Sequence, residues 1–170
     1  MNQSRSDQSD PFDLEQTGDS KYLIFRLGRE VYGTPLLGVR EVLEPQPPKP
    51  LPNTAKHFMG LINMRGQIMG VIDLRIRFDY PISQGETTAY LVFETETGPI
   101  AAIVDHVEAV ANIELKDMEN KPNIRSQVPI DFLIGATVHN NQLITLIDLN
   151  KTLSLEDYVE IKNAKLATAG

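Results

Sequence analysis

The sequence contains no cysteine, and this absence excludes several kinds of chemistry. A chain without thiols forms no disulfide, no thiolate metal site and no cysteine nucleophile, a composition that fits a reducing compartment. The three histidines, His57, His106 and His139, lie far apart, and none has a neighbour at the spacing of metal ligands. We therefore expect no metal and no cofactor.

Long apolar runs and clusters of basic residues are also missing. No run approaches the roughly 18 apolar residues of a membrane span, and the N-terminus lacks the apolar stretch of a signal peptide. The formal net charge is −7, and the lysines and arginines are scattered, whereas proteins that bind nucleic acid cluster them. We expect a cytoplasmic protein that neither inserts into a membrane nor binds nucleic acid.

Sequence motifs of catalysis are absent as well. Residues 28–33 have the glycine spacing of a phosphate-binding loop but are not followed by the required lysine and hydroxyl residue. The carboxylates are each explained by a solvated face or a helix cap, so we expect no catalytic residue. One enzymatic alternative stays open, a small β-barrel enzyme using Asp73, Asp105 or Asp148.

An internal repeat dominates what the sequence does contain. Residues 60–75 recur at 135–150 when 75 is added to each number. Each copy has two apolar runs interrupted by a turn, Arg65-Gly66 in the first and Asn140-Asn141 in the second. Glycine and asparagine accept the positive φ of hairpin turns, so both copies are predicted β-hairpins.

The end of each repeat predicts a helix cap. Asp73 and Asp148 follow the last apolar residue of their hairpins and precede short helical patterns. A carboxylate at this position can accept hydrogen bonds from free N–H groups at a helix start. We therefore interpret both aspartates as caps.

A second sequence repeat extends the duplication to whole halves of the chain. Adding 68 takes residues 22–25 onto 90–93, so we place subdomains at roughly 20–85 and 86–155, with possible exchange of strands. Many short strands with closely spaced turn signals favour two small antiparallel barrels. Residues 1–19 are acidic and polar, which predicts a disordered tail.

Three further segments carry predictions. Residues 35–43 have near-helical spacing and predict a short helix or turn, and the polar stretch 112–129 predicts a long exposed loop. Ser154 and Asp157 have the spacing of a capping box, so we expect a C-terminal helix at 154–166. Its predicted apolar stripe consists of Leu155, Tyr158, Val159 and Leu166.

Residues along most of the chain match one known pattern, from about 20 to 155. It comprises Tyr22-Leu23-Ile24-Phe25, Leu27-Gly28, Tyr32-Gly33, Val39-Arg40-Glu41-Val42, Gly60-Leu61-Ile62-Asn63-Met64-Arg65-Gly66, Val71-Ile72-Asp73-Leu74-Arg75, Phe78, Val104-Asp105 and Leu146-Ile147. With these motifs the sequence resembles the CheW-like domain proteins of bacterial chemosensory arrays. The Asn-x-Arg-Gly turn followed by Ile-Asp-Leu-Arg is its most specific part.

The resemblance implies a mainly β fold and a role without catalysis. Members of this family form two SH3-like five-stranded antiparallel β-barrels around a shared core, with short helices and a C-terminal helix. They act as adaptors that couple methyl-accepting chemoreceptors, at the cytoplasmic tip, to the regulatory domain of a CheA-type histidine kinase. The resemblance thus places the protein at the receptor array on the inner face of the membrane.

The resemblance also implies a set of contact residues. Positions for receptor binding and kinase control are Val39, Glu41, Gly60, Arg65 and Val110, and positions for kinase binding are Gly66, Gln67 and Ile68. Arg65 is the sharpest of these, because its equivalent in the second repeat is Asn140, so the hairpin itself does not require a cation there. An alternative keeps the adaptor role in another pathway, for type IV pili motility or second-messenger control.

Overall fold

The structure, a computed structural model, describes residues 20–82, 87–119, 121 and 124–168. The acidic segment 1–19 lies outside these residues, so its disorder stays a prediction. The strands are β1 (Ser20–Leu27), β2 (Glu30–Pro35), β3 (Val39–Leu43), β4 (Phe58–Met64), β5 (Gln67–Asp73), β6 (Ala89–Thr95), β7 (Gly98–Val104), β8 (His106–Ile113), β9 (Leu133–His139) and β10 (Gln142–Ile147). The α-helices are α1 (Leu74–Arg77) and α2 (Leu155–Thr168).

The strands form two five-stranded sheets, as the predicted mainly β fold requires. Sheet A has the order β8-β1-β2-β10-β9, and sheet B has the order β3-β6-β7-β5-β4. Each sheet combines strands from both halves of the chain. The sheets therefore do not coincide with residues 20–85 and 86–155.

Each sheet is mixed, so the prediction of antiparallel barrels holds for most strand pairs and is wrong for one pair in each sheet. β10 pairs with β2 in parallel, and β5 pairs with β7 in parallel, while the other pairs are antiparallel. A tight turn joins only antiparallel neighbours. In the two parallel pairs the strands are distant in the sequence and no tight turn connects them, so they are free to pair in parallel.

The buried side chains form a shared core and one smaller core within each sheet. The shared core contains Phe25 and Tyr32 from sheet A together with Ile72 and Phe93 from sheet B. A second cluster lies within sheet A and a third within sheet B. This arrangement is consistent with two SH3-like subdomains built around common apolar contacts.

Both predicted hairpins and both predicted caps are confirmed. Arg65 and Asn140 have φ angles of 53° and 52°, as turns of this kind require. The side chain of Asp73 accepts a hydrogen bond from Arg75 N at 2.9 Å, and that of Asp148 accepts one from Asn150 N at 3.0 Å. The repeat therefore encodes the same local structure twice.

The helix or turn predicted over 35–43 is only partly correct. Leu36–Gly38 is a single 3-10 turn, and the chain then enters β3, which pairs with β6. Val39, Val42 and Leu43 fit both a helical and a strand pattern because the segment is so short. Pairing with β6, a contact between distant parts of the sequence, decides in favour of the strand.

The exposed loop predicted over 112–129 is also more ordered than expected. β8 continues to Ile113, and Leu115–Asp117 forms a 3-10 turn. Glu119 N then donates to Ala136 O at 2.7 Å, along the edge of β9. Val128 is buried. The polar composition of 112–129 therefore did not reveal the end of β8, the contact of Glu119 with β9, or the burial of Val128 in the shared core.

Helix α2 begins at the predicted capping box but buries a different face. Ser154 N donates to Asp157 Oδ2 at 2.8 Å, and Asp157 N donates to Ser154 Oγ at 3.1 Å. The residues that face the protein are Ile161 and Ala164. The predicted stripe is wrong for Leu155, Val159 and Leu166, which are 80%, 51% and 65% exposed.

Candidate functional site

The turn between β4 and β5 presents Arg65 to the outside of sheet B. Gly66 has a φ of 82°, and its N–H donates to Asn63 Oδ1 at 2.9 Å, which fixes the turn from within. The Arg65 side chain is 71% exposed. An exposed guanidinium on a rigid turn can donate two parallel hydrogen bonds to a carboxylate.

Arg65 is already paired with one of the other predicted contact residues. Its Nη2 donates to Glu41 Oε1 at 2.5 Å, which joins the β4–β5 turn to β3. β3 and β4 are the two edges of sheet B, so this ion pair shows that the sheet curls enough to bring the β4–β5 turn near β3. A partner that binds Arg65 would therefore also act on Glu41.

A second set of hydrogen bonds runs beside this ion pair. Arg40 Nη1 donates to Gln67 Oε1 and to Glu94 Oε1, each at 3.0 Å. With Arg65 and Glu41 these residues form an exposed polar patch, which we call the turn surface (Arg40, Glu41, Arg65, Gln67 and Glu94). A cleft of about 100 Å³ opens there, and its apolar lining consists of Met64, Met69 and Val92.

The remaining predicted contact residues lie in three different environments. Val39 and Ile68 are half-buried and pack against the shared core. Gly66 and Gln67 belong to the exposed turn. Val110 is 51% exposed but lies on β8 of sheet A, opposite Leu23. The structure therefore joins Glu41, Arg65 and Gln67 in one place and leaves Val110 on the other sheet.

Gly60 is explained by the backbone around it. Its φ is 129°, and a Cβ atom at this position would lie 2.0 Å from Lys49 O. The close approach is needed because Lys49 and Leu61 exchange two backbone hydrogen bonds, at 2.8 and 3.0 Å. A substitution at Gly60 would therefore affect the binding of a partner only indirectly, by distorting β4.

Arg40 and Glu94 are the members of the turn surface that the sequence did not indicate. Their side chains meet across 54 positions of the sequence, and Arg40 reaches Gln67 across 27. No local pattern encodes such contacts. Arg40 belongs to the matched segment Val39-Arg40-Glu41-Val42 but was assigned no role, and its position next to Glu41 was the one available signal.

Two of the three carboxylates of the enzymatic alternative, Asp73 and Asp105, are held in a buried ion network, while the third, Asp148, is the helix cap already described. Asp73 is 1% exposed, and Arg75 donates to it from Nε at 3.0 Å and from Nη2 at 2.9 Å. Arg75 Nη1 also donates to Asp105 at 3.1 Å, and Gly28 N donates to the same carboxylate at 2.7 Å. The hydrogen bonds that Arg75 donates to Asp73 raise the pKa of Arg75, against the effect of burial. This network ties the two sheets together and presents no free base to a substrate.

A second buried polar cluster connects β2 with the chain after α1. The hydroxyls of Tyr32 and Tyr80 contact each other, and both donate to Glu30 Oε2, at 2.7 Å for Tyr32. Burial raises the pKa of Tyr32 to about 12 and also raises the pKa of Tyr80, with Glu30 adding to the second shift. Both phenols therefore stay protonated and act as hydrogen-bond donors within the core.

Polar contacts attach α2 to sheet B near both ends of the helix. His57 Nε2 lies 2.5 Å from Asp157 Oδ1, at the helix start. Lys165 Nζ donates to Thr97 O at 3.3 Å, near its end. Burial raises the pKa of Asp157, but hydrogen bonds from His57 and Ser154 outweigh this effect, and the net shift is downward.

Within the described residues, no group of three or more histidine, aspartate or glutamate side chains could hold a metal ion. No helix in the same part of the chain is long and apolar enough to cross a membrane. The arrangement offers polar surface, apolar clefts and rigid turns. Chemically, such a site suits contact with another protein.

Comparisons with known proteins agree with this picture. The chemotaxis protein CheW of Klebsiella aerogenes is 28% identical over 149 residues, which cover 87% of this chain and 90% of that protein. Protein FrzA of Myxococcus xanthus is 28% identical over 142 residues, covering 79% and 86%. The crystal structure of the scaffolding protein TtCheW from Thermoanaerobacter tengcongensis superposes with a TM-score of 0.75 at 26% identity, covering 82% of this chain and 95% of that one.

The family model described as the CheW-like domain matches residues 21–157. This range contains all ten strands of the two sheets, apart from the first residue of β1, and the whole turn surface. The chain belongs to the CheW-like domain family.

Proposed function

We propose that this protein is a non-catalytic adaptor that couples chemoreceptors to a CheA-type histidine kinase in bacterial chemotaxis. Membership of the CheW-like family supports the adaptor role, and the relatives named as chemotaxis proteins support the pathway. The observation that carries the proposal is the joining of Glu41, Arg65 and Gln67 at the turn surface. Three residues implied by the resemblance lie together, although Glu41 comes from β3 and the other two come from the β4–β5 hairpin.

The turn surface is the proposed contact for the regulatory domain of the kinase. The Arg65 guanidinium is exposed, and the neighbouring cleft adds apolar area from Met64 and Met69. A contact of standard size buries about 1,200–2,000 Å² in total, so it would extend well beyond these residues. Charged groups at the rim of such a contact set its orientation and its rate of formation.

The receptor contact is proposed for a different surface, near Val39, Glu41 and Val110. A receptor tip is helical, and a helix binds to a groove through apolar side chains. Val110 offers an exposed apolar side chain on sheet A, and Val39 lies on β3 of sheet B. Glu41 belongs to both surfaces, so binding of one partner can influence the other through its ion pair with Arg65.

The test of this function is kinase activation in an array reconstituted from receptor membranes, kinase and adaptor. Arg65→Glu reverses the exposed charge, and we expect it to weaken kinase binding about tenfold while the fold stays intact. Arg29→Glu makes the same change at the exposed β1–β2 turn and serves as the control. Equal coupling by both variants would contradict the assignment of Arg65.

The buried ion network argues against the enzymatic alternative. Asp73 and Asp105 both accept hydrogen bonds from Arg75, which accounts for these carboxylates without any substrate. Asp73→Asn is the direct test. A turnover that this variant abolished at unchanged stability would favour the enzyme. We expect instead that the variant loses stability.

The pathway is identified by the proteins that bind. Affinity purification from native lysate, with the full chain as bait, should recover a histidine kinase together with a chemoreceptor. Recovery of a pili-motility or second-messenger kinase would keep the adaptor role and change the pathway. Recovery of neither a kinase nor a receptor would contradict the proposal.

A further inference from the structure

A groove lies between helix α2 and the β6–β7 turn. Its lining residues are Thr97, Ile161, Lys162, Lys165 and Leu166, and we call it the helix groove. Its volume of about 430 Å³ falls within the range of small-molecule pockets, so a large side chain can enter it. The resemblance to the family assigns no role to these residues.

The helix groove combines an apolar floor with a cationic rim. Ile161 is fully buried beneath it, and Leu166 is 65% exposed at its edge. In the described part of the chain, neither Lys162 nor Lys165 forms an ion pair within 4.0 Å. Burial lowers the pKa of Lys165, and a carboxylate brought close to it would reverse this shift. The chemistry is complementary to an apolar side chain that has a carboxylate beside it.

The helix groove continues into the turn surface. β5 and β7 run parallel, so the turns that precede them, β4–β5 and β6–β7, lie at the same end of sheet B. Lys165 is influenced by the negative charge of Glu94, and Glu94 accepts a hydrogen bond from Arg40 of the turn surface. A partner seated on Arg65 would therefore have the helix groove next to it.

We propose that the helix groove is a second anchor of the kinase contact. An apolar side chain of the kinase regulatory domain, with a carboxylate next to it, enters between α2 and the β6–β7 turn, and the carboxylate binds Lys162 or Lys165. The inference rests on the proposed function, because it takes the turn surface as the main kinase contact. It explains why α2 exposes Leu166 at the end of the helix that lies nearest to the β6–β7 turn.

The test is the affinity of the full chain for the full-length CheA-type kinase, measured by isothermal titration calorimetry. The double variant Lys162→Glu with Leu166→Gln reverses one of the two rim charges and removes the apolar edge of the helix groove. The double variant Lys151→Glu with Leu155→Gln makes the same changes at exposed positions near the start of α2, away from the groove. We expect about tenfold weaker binding for the first variant and less than about twofold for the second.

Stability and assembly measurements keep the test decisive. All four substituted residues are exposed, so both variants should keep the melting temperature of the wild-type chain, and a single Lys162→Gln variant replaces the double variant if it does not. Equal affinity of the two double variants for the kinase would overturn the proposal. So would weaker binding to receptor membranes with unchanged kinase binding, or self-association of the wild-type chain, seen in sedimentation velocity, that the groove variant abolishes.

Failure of this inference differs from failure of the proposed function. If Arg65→Glu weakens kinase binding and the groove variant does not, the turn surface stands and the helix groove has no part in the contact. If the wild-type chain does not bind the kinase at all, both proposals fail together.

Discussion

Hairpins β4–β5 and β9–β10 are two copies of one sequence pattern, but the first has an arginine and a glycine at its turn and the second has two asparagines. Both have a capping aspartate after the last strand. Both also leave room for a connector at their edge strand, where Lys49 pairs with Leu61 and Glu119 pairs with Ala136. What the copies share is what the fold requires.

The differences between the copies lie where one hairpin meets something that the other does not. Gly70 of β5 corresponds to Thr145 of β10, and a Cβ atom at Gly70 would lie 3.0 Å from Ile161 of α2. The glycine therefore lets the helix lie close to the first hairpin. On the second hairpin, Val138 and Leu143 face each other across the strands and are 64% and 55% exposed. Each copy has thus kept the common frame and changed its surface.

The largest difference in stability is expected between the two capping aspartates. Asp73→Ala removes the buried partner of Arg75, and breaking a buried ion pair from one side costs about 3–5 kcal/mol. Asp148→Ala loses a cap at a half-exposed position, which costs about 1 kcal/mol. Urea denaturation measures the free energy of unfolding of both variants. Similar losses would show that the ion network adds nothing to the cap.

The two repeated glycines give the next largest contrast. Gly60→Ala places a Cβ atom against Lys49 O in a backbone conformation that alanine rarely adopts, and we expect a loss of about 3 kcal/mol. At Gly135 the nearest atom, Glu119 O, would lie 3.2 Å away, so alanine there should cost about 1 kcal/mol. The free energies of unfolding of the two variants decide the matter, and equal losses would contradict the steric argument.

The attachment of α2 to the first hairpin depends on pH through Asp157. The pKa of this residue is lowered in the folded protein, so its contribution is fully present above the unfolded value of about 3.9 and is lost as the pH falls through the folded value. Asp157→Asn should cost about 1–2 kcal/mol at neutral pH. The difference from wild type should shrink below about pH 4. A constant difference from pH 7 to pH 3 would exclude this role.

The sequence predicted the parts of this structure that depend on local chemistry. The hairpin turns at Arg65 and Asn140 and the capping aspartates follow from residues a few positions apart, and the repeat doubled the signal. The parallel pairing of β2 with β10 could not be predicted in this way, because it joins distant strands. The buried face of α2 was missed for a related reason. Ile161 faces inward because Gly70 leaves space for it, which the helix sequence alone does not show.

In the candidate site, too, the sequence predicted what depends on local residues and missed what depends on contacts between distant strands. Arg65 stood out because its equivalent, Asn140, showed that the turn does not need a cation. The hydrogen bond from Arg40 to Glu94 depends on the pairing of β3 with β6, and the one from Arg40 to Gln67 depends on the curling of sheet B that brings β3 near the β4–β5 turn. Sequence reasoning could therefore find the exposed member of the turn surface but not the side chains that hold it in place.

The smallest effect is expected where the two turns themselves are made alike. Arg65→Asn gives the first turn the residue of the second, and asparagine tolerates the φ of 53° at this position better than arginine does. The lost ion pair with Glu41 is exposed on the arginine side and worth at most about 0.5–1 kcal/mol, so gain and loss nearly cancel. Thermal unfolding should show almost no change, while kinase binding weakens as for Arg65→Glu. A clear drop in melting temperature would mean that Arg65 stabilises the fold, and its part in coupling would then have to be separated from its part in stability.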